Sequence, residues 1–546
     1  MDNLPKNQNT NEQPFAPGIS SDQSPPPPPP SPPADNNPSL QPQPTEVSSD
    51  SVAQSTPVTT QPPSNMPPPM PEPPQQEQTS QQPAAPEPQP SNVVAGGSKK
   101  SGVLKKILLI VLLIIFAGVG IFAVWKILIP RLGGVTESIG GGGETNLTWW
   151  GLWEEEEIVK PIIDKYQSDN PGVTITYVGQ SKKDYRERLQ NALARGEGPD
   201  IFRYHNSWVP MFNAELSRMP SSVMTSQEYA QTFYPAAVSD LSTSDGIVGI
   251  PLMYDGLGLY INEDIFTTYG KTPPETWDEL RALALELTIK NENDQIQQAG
   301  VSMGLTGNVD HWQEVIALMI LQNGGKLSNP SSDLVLGAVE YYKQFADVLG
   351  VWDSSLPPST IMFGNGNLAM YFGPSWRALE IIDMNPSLNF KVVPVPQLPK
   401  EDEAEPDIAY ASYWAEGVWQ GSNDKNEAWK FLKYLSEKNT LEQFYASASQ
   451  VRRFGEPYPR ADMREMLLAD SVVGGIVATA PEAKSWFLYS RTFDGETGLN
   501  SRLSDYYADL INSERPENTA ESTASGVIQV LSQYGLAKAP TPTVEP

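Results

Sequence analysis

The chain has no cysteine in its 546 residues, which excludes disulfides, thiol catalysis, Cys-based zinc sites and a lipid carried on an N-terminal cysteine. Histidine is nearly absent as well. His205 and His311 are the whole supply, too little for a His-rich metal centre. Basic residues are outnumbered by acids, 37 to 65, and the net charge is −28. No basic surface is then available to displace counterions from phosphates, so nucleic acid is excluded as a partner. Nothing in this inventory requires a metal or an organic cofactor.

What is present is unevenly spread. About half of the 53 prolines fall before residue 97, among Gln, Ser, Asn and Thr, whereas all 13 tryptophans come later. A segment with so little apolar surface cannot offset the entropy of ordering, so residues 1–100 are expected to form a disordered tail. Pro25 to Pro30 and several Pro-x-x-Pro spacings favour extended polyproline II, which serves as a solvated spacer or docks an aromatic groove.

Ile107 to Trp125 then runs without a charge, and the apolar character resumes after Lys126 as far as Ile129, before Pro130. At about 1.5 Å per residue these 19 residues reach roughly 28 Å, enough for a hydrocarbon core. A cleaved signal peptide would start nearer residue 1, and a buried soluble helix is rarely so uniform. The expectation is one transmembrane helix over 104–130. Lys99, Lys100, Lys105 and Lys106 precede it, against Lys126 and Arg131 after it. This places the tail in the cytoplasm and the large C-terminal part outside, in a single-pass protein of the cell membrane. A glycine-rich linker, 131–145, follows.

Beyond the linker, strand and helix patterns alternate. Leu147 to Trp150 predicts a strand, Glu154 to Gln167 a helix with Glu154 to Glu157 as its solvated start, and Val173 to Val178 a second strand. Tyr185 to Ala194 predicts a helix and Asp200 to Tyr204 a strand. Thr276, with Glu279 three residues on, predicts a capping box for a helix over Trp277 to Ile289. Such alternation implies α/β lobes with mainly parallel sheets, whose ligands sit beyond the strand C-termini.

Several segments in order carry a more specific resemblance. They are Leu147-Thr-Trp-Trp-Gly-Leu-Trp153, Asn170-Pro-Gly-Val-Thr-Ile175, Gly198-Pro-Asp-Ile-Phe202, Gly249 to Asn262, Pro274 to Leu280, Phe363 to Trp376 and Lys425 to Leu432. Together they resemble the extracellular solute-binding proteins of family 1, the maltose-binding-like components of ABC sugar importers, across nearly all of the chain after the linker. The resemblance implies an α/β, two-lobed, type II periplasmic-binding-protein-like fold over 146–535 that closes on its ligand by a hinge. One lobe would comprise about 146–254 and 416–450, the other about 255–415 and 451–535, with 536–546 a flexible C-terminal tail. It implies a monomer that captures a small solute, a carbohydrate above all, and passes it to ABC permease subunits.

A sugar site pairs flat aromatics, for C–H faces, with carboxylates and amides, for hydroxyls. Trp150 and Trp153 lie just past the first strand, although Trp150 also reads as core. Asn206 follows the third strand, where the resemblance implies a polar sugar contact and an N-cap for the next helix is the alternative. Tyr254 and Asp255 fall in the first crossover, with Asp255 aligned to an acidic ligand contact. The resemblance implies that Trp312 opens a helix facing the cleft, and Trp376 follows the Gly373-Pro374 turn in the segment that brings an aromatic to the ligand in that family. By the resemblance Trp414 lies in the second crossover, Arg453 near the third, and Trp486 in a C-terminal region where the family often adds an aromatic; for all three, core packing or an ion pair competes with ligand contact.

Other readings differ in class. A glycosidase needs two carboxylates about 5–5.5 or 6.5–9.5 Å apart across the sugar, and no second acid pairs with Asp255 in the sequence. Gly270-Lys-Thr272 imitates the end of a P-loop, but Ile265 stands where the first glycine belongs and Pro273-Pro274 blocks the phosphate-cradling helix. A membrane-anchored carbohydrate sensor or adhesion protein would share the same architecture.

Overall fold

Leu147 and Trp149 turn inward along the strand Thr145–Gly151, which pairs in parallel with Val173–Gly179 along its whole length. The computed structural model describes residues 144–538 apart from 401, 403 and 404. The proline-rich tail, the 104–130 span, nearly all of the linker and the end of the C-terminal tail lie outside the described residues. Among those described, no helix is long and apolar enough to cross a membrane.

Two five-stranded sheets organise this region, each the centre of a lobe. The first runs in the order Val173–Gly179, Thr145–Gly151, Ile201–His205, Trp414–Val418, Ile250–Pro251. The second runs Phe390–Val393, Gly258–Asn262, Leu368–Gly373, Ile296–Val301, Ile289–Lys290. The first keeps the expected parallel character, with every strand but one running the same way, whereas the second is mixed and corrects the expectation from alternation. Trp414–Val418 enters the first sheet from the other lobe and so lies antiparallel to both its neighbours. In the second sheet only Leu368–Gly373 and Ile296–Val301 are parallel.

Local signals translate well where side chains decide them. The helix Tyr185–Ala194 has the expected bounds. Thr276 Oγ1 accepts from Glu279 N, and the Glu279 carboxylate accepts from Thr276 N, closing the capping box. That helix ends at Glu286 rather than Ile289, because Ile289–Lys290 pairs with the edge of Ile296–Val301. In the first crossing Leu257 N donates to Tyr410 O at 2.9 Å, and Ser412 N donates to Asp255 O at 2.9 Å. A Cβ at Gly256 would lie 2.8 Å from Tyr410 O, so only glycine lets the two crossing strands approach this closely.

The helix expected from Glu154 begins at Glu156 instead. Glu154 is not solvated: it is 3% exposed and ion-paired with Arg203 at 2.5 Å. On its other side Arg203 pairs with Glu416 at 2.6 Å, and these two residues sit directly opposite one another across adjacent strands. One guanidinium thus neutralises one of two buried carboxylates. Burial, and then the neighbouring charge of Glu154, raise the Glu416 carboxyl, while Arg203 pulls it down. Removing the cation would strand both acids. Arg203→Met is expected to lower the unfolding free energy by about 3–5 kcal/mol, read from urea denaturation. A loss below about 1 kcal/mol would mean that the cluster behaves like a surface pair.

Candidate functional site

The strand ends of the first sheet, the crossings and the turn after Leu368–Gly373 converge on a cavity of ≈ 280 Å³. One wall is aromatic. Trp153, just beyond the first strand, meets Trp414 edge-on at 5.0 Å. Trp153 also lies over the Arg203 guanidinium, 5.7 Å from its ring centre, so the buried charge cluster supports the plate. Trp414 is wedged against His205 at 5.1 Å and Trp208 at 5.4 Å. Lys182 stands 5.9 Å from the Trp153 ring and 5.8 Å from Phe493.

Trp376 forms part of the second lobe's wall. The Arg377 guanidinium sits 4.5 Å from its ring centre, and His311 meets it edge-on at 5.5 Å. Its turn is pinned by Asp255, which accepts from Ser375 N at 3.0 Å and Ser375 Oγ at 2.8 Å. Burial drives the Asp255 carboxyl up to about 7 against these hydrogen bonds and that of Gly256 N.

The remaining acids are matched. Burial would raise Glu314, but the His311 ring and the backbone and hydroxyl of Ser490 hold its carboxyl below the ordinary value. Glu380 pairs with Arg377, and Glu456 pairs with Arg452 at 2.7 Å. His205 is neutral, because burial pushes its ring down to about 3.

Of the residues picked from sequence, Trp153, Asp255, Trp376 and Trp414 line this cavity together. The other six lie elsewhere. Trp150 stays on the sheet, half-buried against the core. Tyr254 is buried and faces Tyr234 at 4.9 Å. Trp312 opens the helix Trp312–Gln322 but lines a neighbouring cavity of ≈ 480 Å³. Asn206 and Trp486 line a third, of ≈ 540 Å³. Arg453 is exposed, and the preceding Arg452 takes the place expected of it.

Sequence reasoning missed Lys182, Glu314, Arg452, Arg491 and Phe493. A shared backbone signature marks several residues at the site. His311, Arg491 and Phe493 all have positive φ, 62°, 56° and 53°, and are three of the five non-glycine residues that do so among those described. Strain of this kind costs of order 1–3 kcal/mol each and gathers where geometry is imposed by use. It has no counterpart in the local sequence.

Asp255 yields a pH test. A raised carboxyl costs the fold nothing below its unfolded value of 3.8 and progressively more as pH climbs to about 7, because the unfolded chain releases its proton first. Asp255→Asn is expected to gain stability relative to the parent across that window, with a constant difference above it. Melting curves at pH values spanning the window check this. Curves that stay parallel throughout would put Asp255 at its ordinary value.

The sequence pattern of the bacterial extracellular solute-binding proteins matches residues 152–439. The maltodextrin-binding protein of Bacillus subtilis (strain 168) is 23% identical over 373 residues, covering 63% of this chain and 84% of its own length. An ABC transporter solute-binding protein from Thermotoga lettingae TMO, solved with alpha-D-tagatose, superposes with a TM-score of 0.55 at 22% identity, over 71% of this chain and 100% of its own. The cyclic alpha-maltosyl-1,6-maltose binding protein of Arthrobacter globiformis gives 0.57 at 18% identity, over 72% and 100%. At these identities the solved structures speak for the fold, two lobes around a cleft. The family pattern covers more than half of the chain. The chain therefore belongs to the bacterial extracellular solute-binding proteins, a family of binders rather than enzymes that works outside the cytoplasm.

Proposed function

We propose that this chain captures a sugar in the cleft between its lobes and delivers it to the permease of an ABC importer. The observation that carries the reading is the pairing of aromatic surfaces on both walls, Trp153 with Trp414 and Trp376 opposite the first lobe, beside Glu380 and Glu456, which are each paired with an arginine. Ring faces accept the C–H surface of a saccharide, and Asp255 and Ser412 offer partners for hydroxyls. A polyamine would need several unmatched carboxylates, whereas Glu380 and Glu456 are each held by an arginine. The names of the relatives, a maltodextrin binder and binders solved with alpha-D-tagatose or named for a cyclic maltosyl sugar, point the same way.

The ligand groups in this reading are Trp153, Asp255, Trp376 and Trp414, joined by Lys182, Arg452 and Phe493. Segment 104–130 holds the binding domain at the membrane in place of a lipidated cysteine, with residues 1–100 inside the cell and the lobes, 146–254 with 416–450 and 255–415 with 451–535, outside.

Titration calorimetry with maltotriose, maltotetraose, alpha-D-tagatose, spermidine and glycerol 3-phosphate tests the ligand class. A saccharide is expected to bind, and Trp376→Ala to weaken it about tenfold or more, or ~1.4 kcal/mol, with an unchanged melting temperature. Binding of spermidine without any saccharide would sink the sugar reading. Deleting 104–130 is expected to release the binding domain from the membrane fraction; a domain that still sediments with membranes is anchored by something else.

A further inference from the structure

The third cavity, ≈ 540 Å³, shares no lining residue with the cleft. The partition between them is a partly buried hydrogen-bonded cluster. Asp240 Oδ2 accepts from Asn206 Nδ2 at 2.9 Å and from Tyr413 OH at 2.9 Å, and its other oxygen accepts from Ser485 Oγ. Asn206 N also donates to Tyr413 O at 3.0 Å. Tyr413 lines the cleft, and Asn206 and Asp240 line the third cavity, so one layer of side chains separates the two spaces.

The lining selects a ligand chemistry. Trp486 and Phe487, both half-buried and 5.7 Å apart, supply adjoining ring surfaces. Ser239, Ser242, Thr243, Ser244 and Asn213 supply hydroxyls and an amide. No lysine, arginine or histidine is among the lining residues, which leaves a phosphate or carboxylate ligand without a counter-charge. Asp240 is the sole carboxylate there, and its oxygens are already engaged, which leaves a polycation without a partner. The polar rim gives a lipid chain no continuous apolar wall.

The walls come from separate parts of the fold. Asn206 to Asn213 follows the central strand Ile201–His205 of the first sheet. Tyr534 to Leu536 ends the helix Pro516–Gln533, which packs against Asp333–Asp347 on the side of the second lobe. A space of this volume lies within the usual range for small-ligand sites, about 300–1,000 Å³.

We propose that this cavity is a second binding site, for a neutral polyhydroxylated ring such as a saccharide unit, with Trp486 as its platform. It is separate from the cleft and does not depend on what the cleft binds. Asn206 and Trp486, which sequence reasoning assigned to the cleft, belong here.

Maltotriose and D-glucose titrated calorimetrically into the full-length chain in detergent test the assignment. Two sites per chain are expected for a probe that the cleft also takes, and one for a probe that it does not. Trp486→Ala is expected to weaken one site at least tenfold and leave the other within threefold. Ser239→Trp, which fills the cavity from an exposed helix position without touching the core, is expected to do the same, and it decides the matter if Trp486→Ala misfolds. Trp376→Ala is expected to affect only the other site. A single site that is lost in Trp376→Ala and intact in Trp486→Ala and Ser239→Trp overturns the second site and leaves the cleft reading standing. A single site with the reverse pattern keeps the second site and means that the cleft does not take that probe. No binding of either probe overturns the second site for saccharides.

Discussion

The first lobe is built around a charge that it has to bury. Arg203 sits in the centre of the first sheet at 1% exposure, and its guanidinium is held between the carboxylates of Glu154 and Glu416. The three residues come from the exit of the first strand, the middle strand and the strand that returns from the other lobe. Their geometry therefore ties the chain's first passage through this lobe to its second. Tyr185 OH donates to Arg203 O and Tyr177 OH to Glu154 O, so the surrounding helix and edge strand are fastened to the same point. A buried ion cluster is a poor source of net stability compared with packed hydrocarbon. This one lies instead beneath an aromatic plate of the cleft, with the Arg203 guanidinium 5.7 Å from the centre of the Trp153 ring.

A second constraint couples the lobes. Asp255 lies in the first crossing, its backbone oxygen is bonded to the second crossing through Ser412 N, and its side chain grips the turn that carries Trp376. The crossing and the second-lobe wall therefore share one residue. Any displacement of Asp255 would carry the turn with it, the kind of linkage that closure on a ligand would use.

The fold was legible because it is written in short-range patterns. The Tyr185–Ala194 helix, the capping box at Thr276 and the strand Val173–Gly179 that follows Asn170-Pro-Gly each follow from residues within a turn of one another. Strand direction was not legible. Trp414–Val418 runs antiparallel because of where the chain has been, not because of its own residues. The same limit governs the site. Trp153 and Trp376 could be found because each follows a strand or a Gly-Pro turn. Glu154 was misread as solvated because an acid at a helix start ordinarily faces water, and only Arg203, far along the chain, draws it inward. Arg452 was missed by one position, since the register beyond the helix Lys438–Ala448 is set by Arg452 N reaching back to Ala448 O. Arg491 and Phe493 depend on left-handed backbone that neither residue type announces.

The indoles of the cleft have one more consequence. Trp153 and Trp376 each stand beside a guanidinium, at 5.7 Å and 4.5 Å, and Trp414 abuts a neutral imidazole. An excited indole responds to nearby charge and to the water at its face, and these rings border the space that a ligand would fill. A ligand in that space would change the surroundings of the chain's own chromophores, so its arrival would be read from their emission without any added dye.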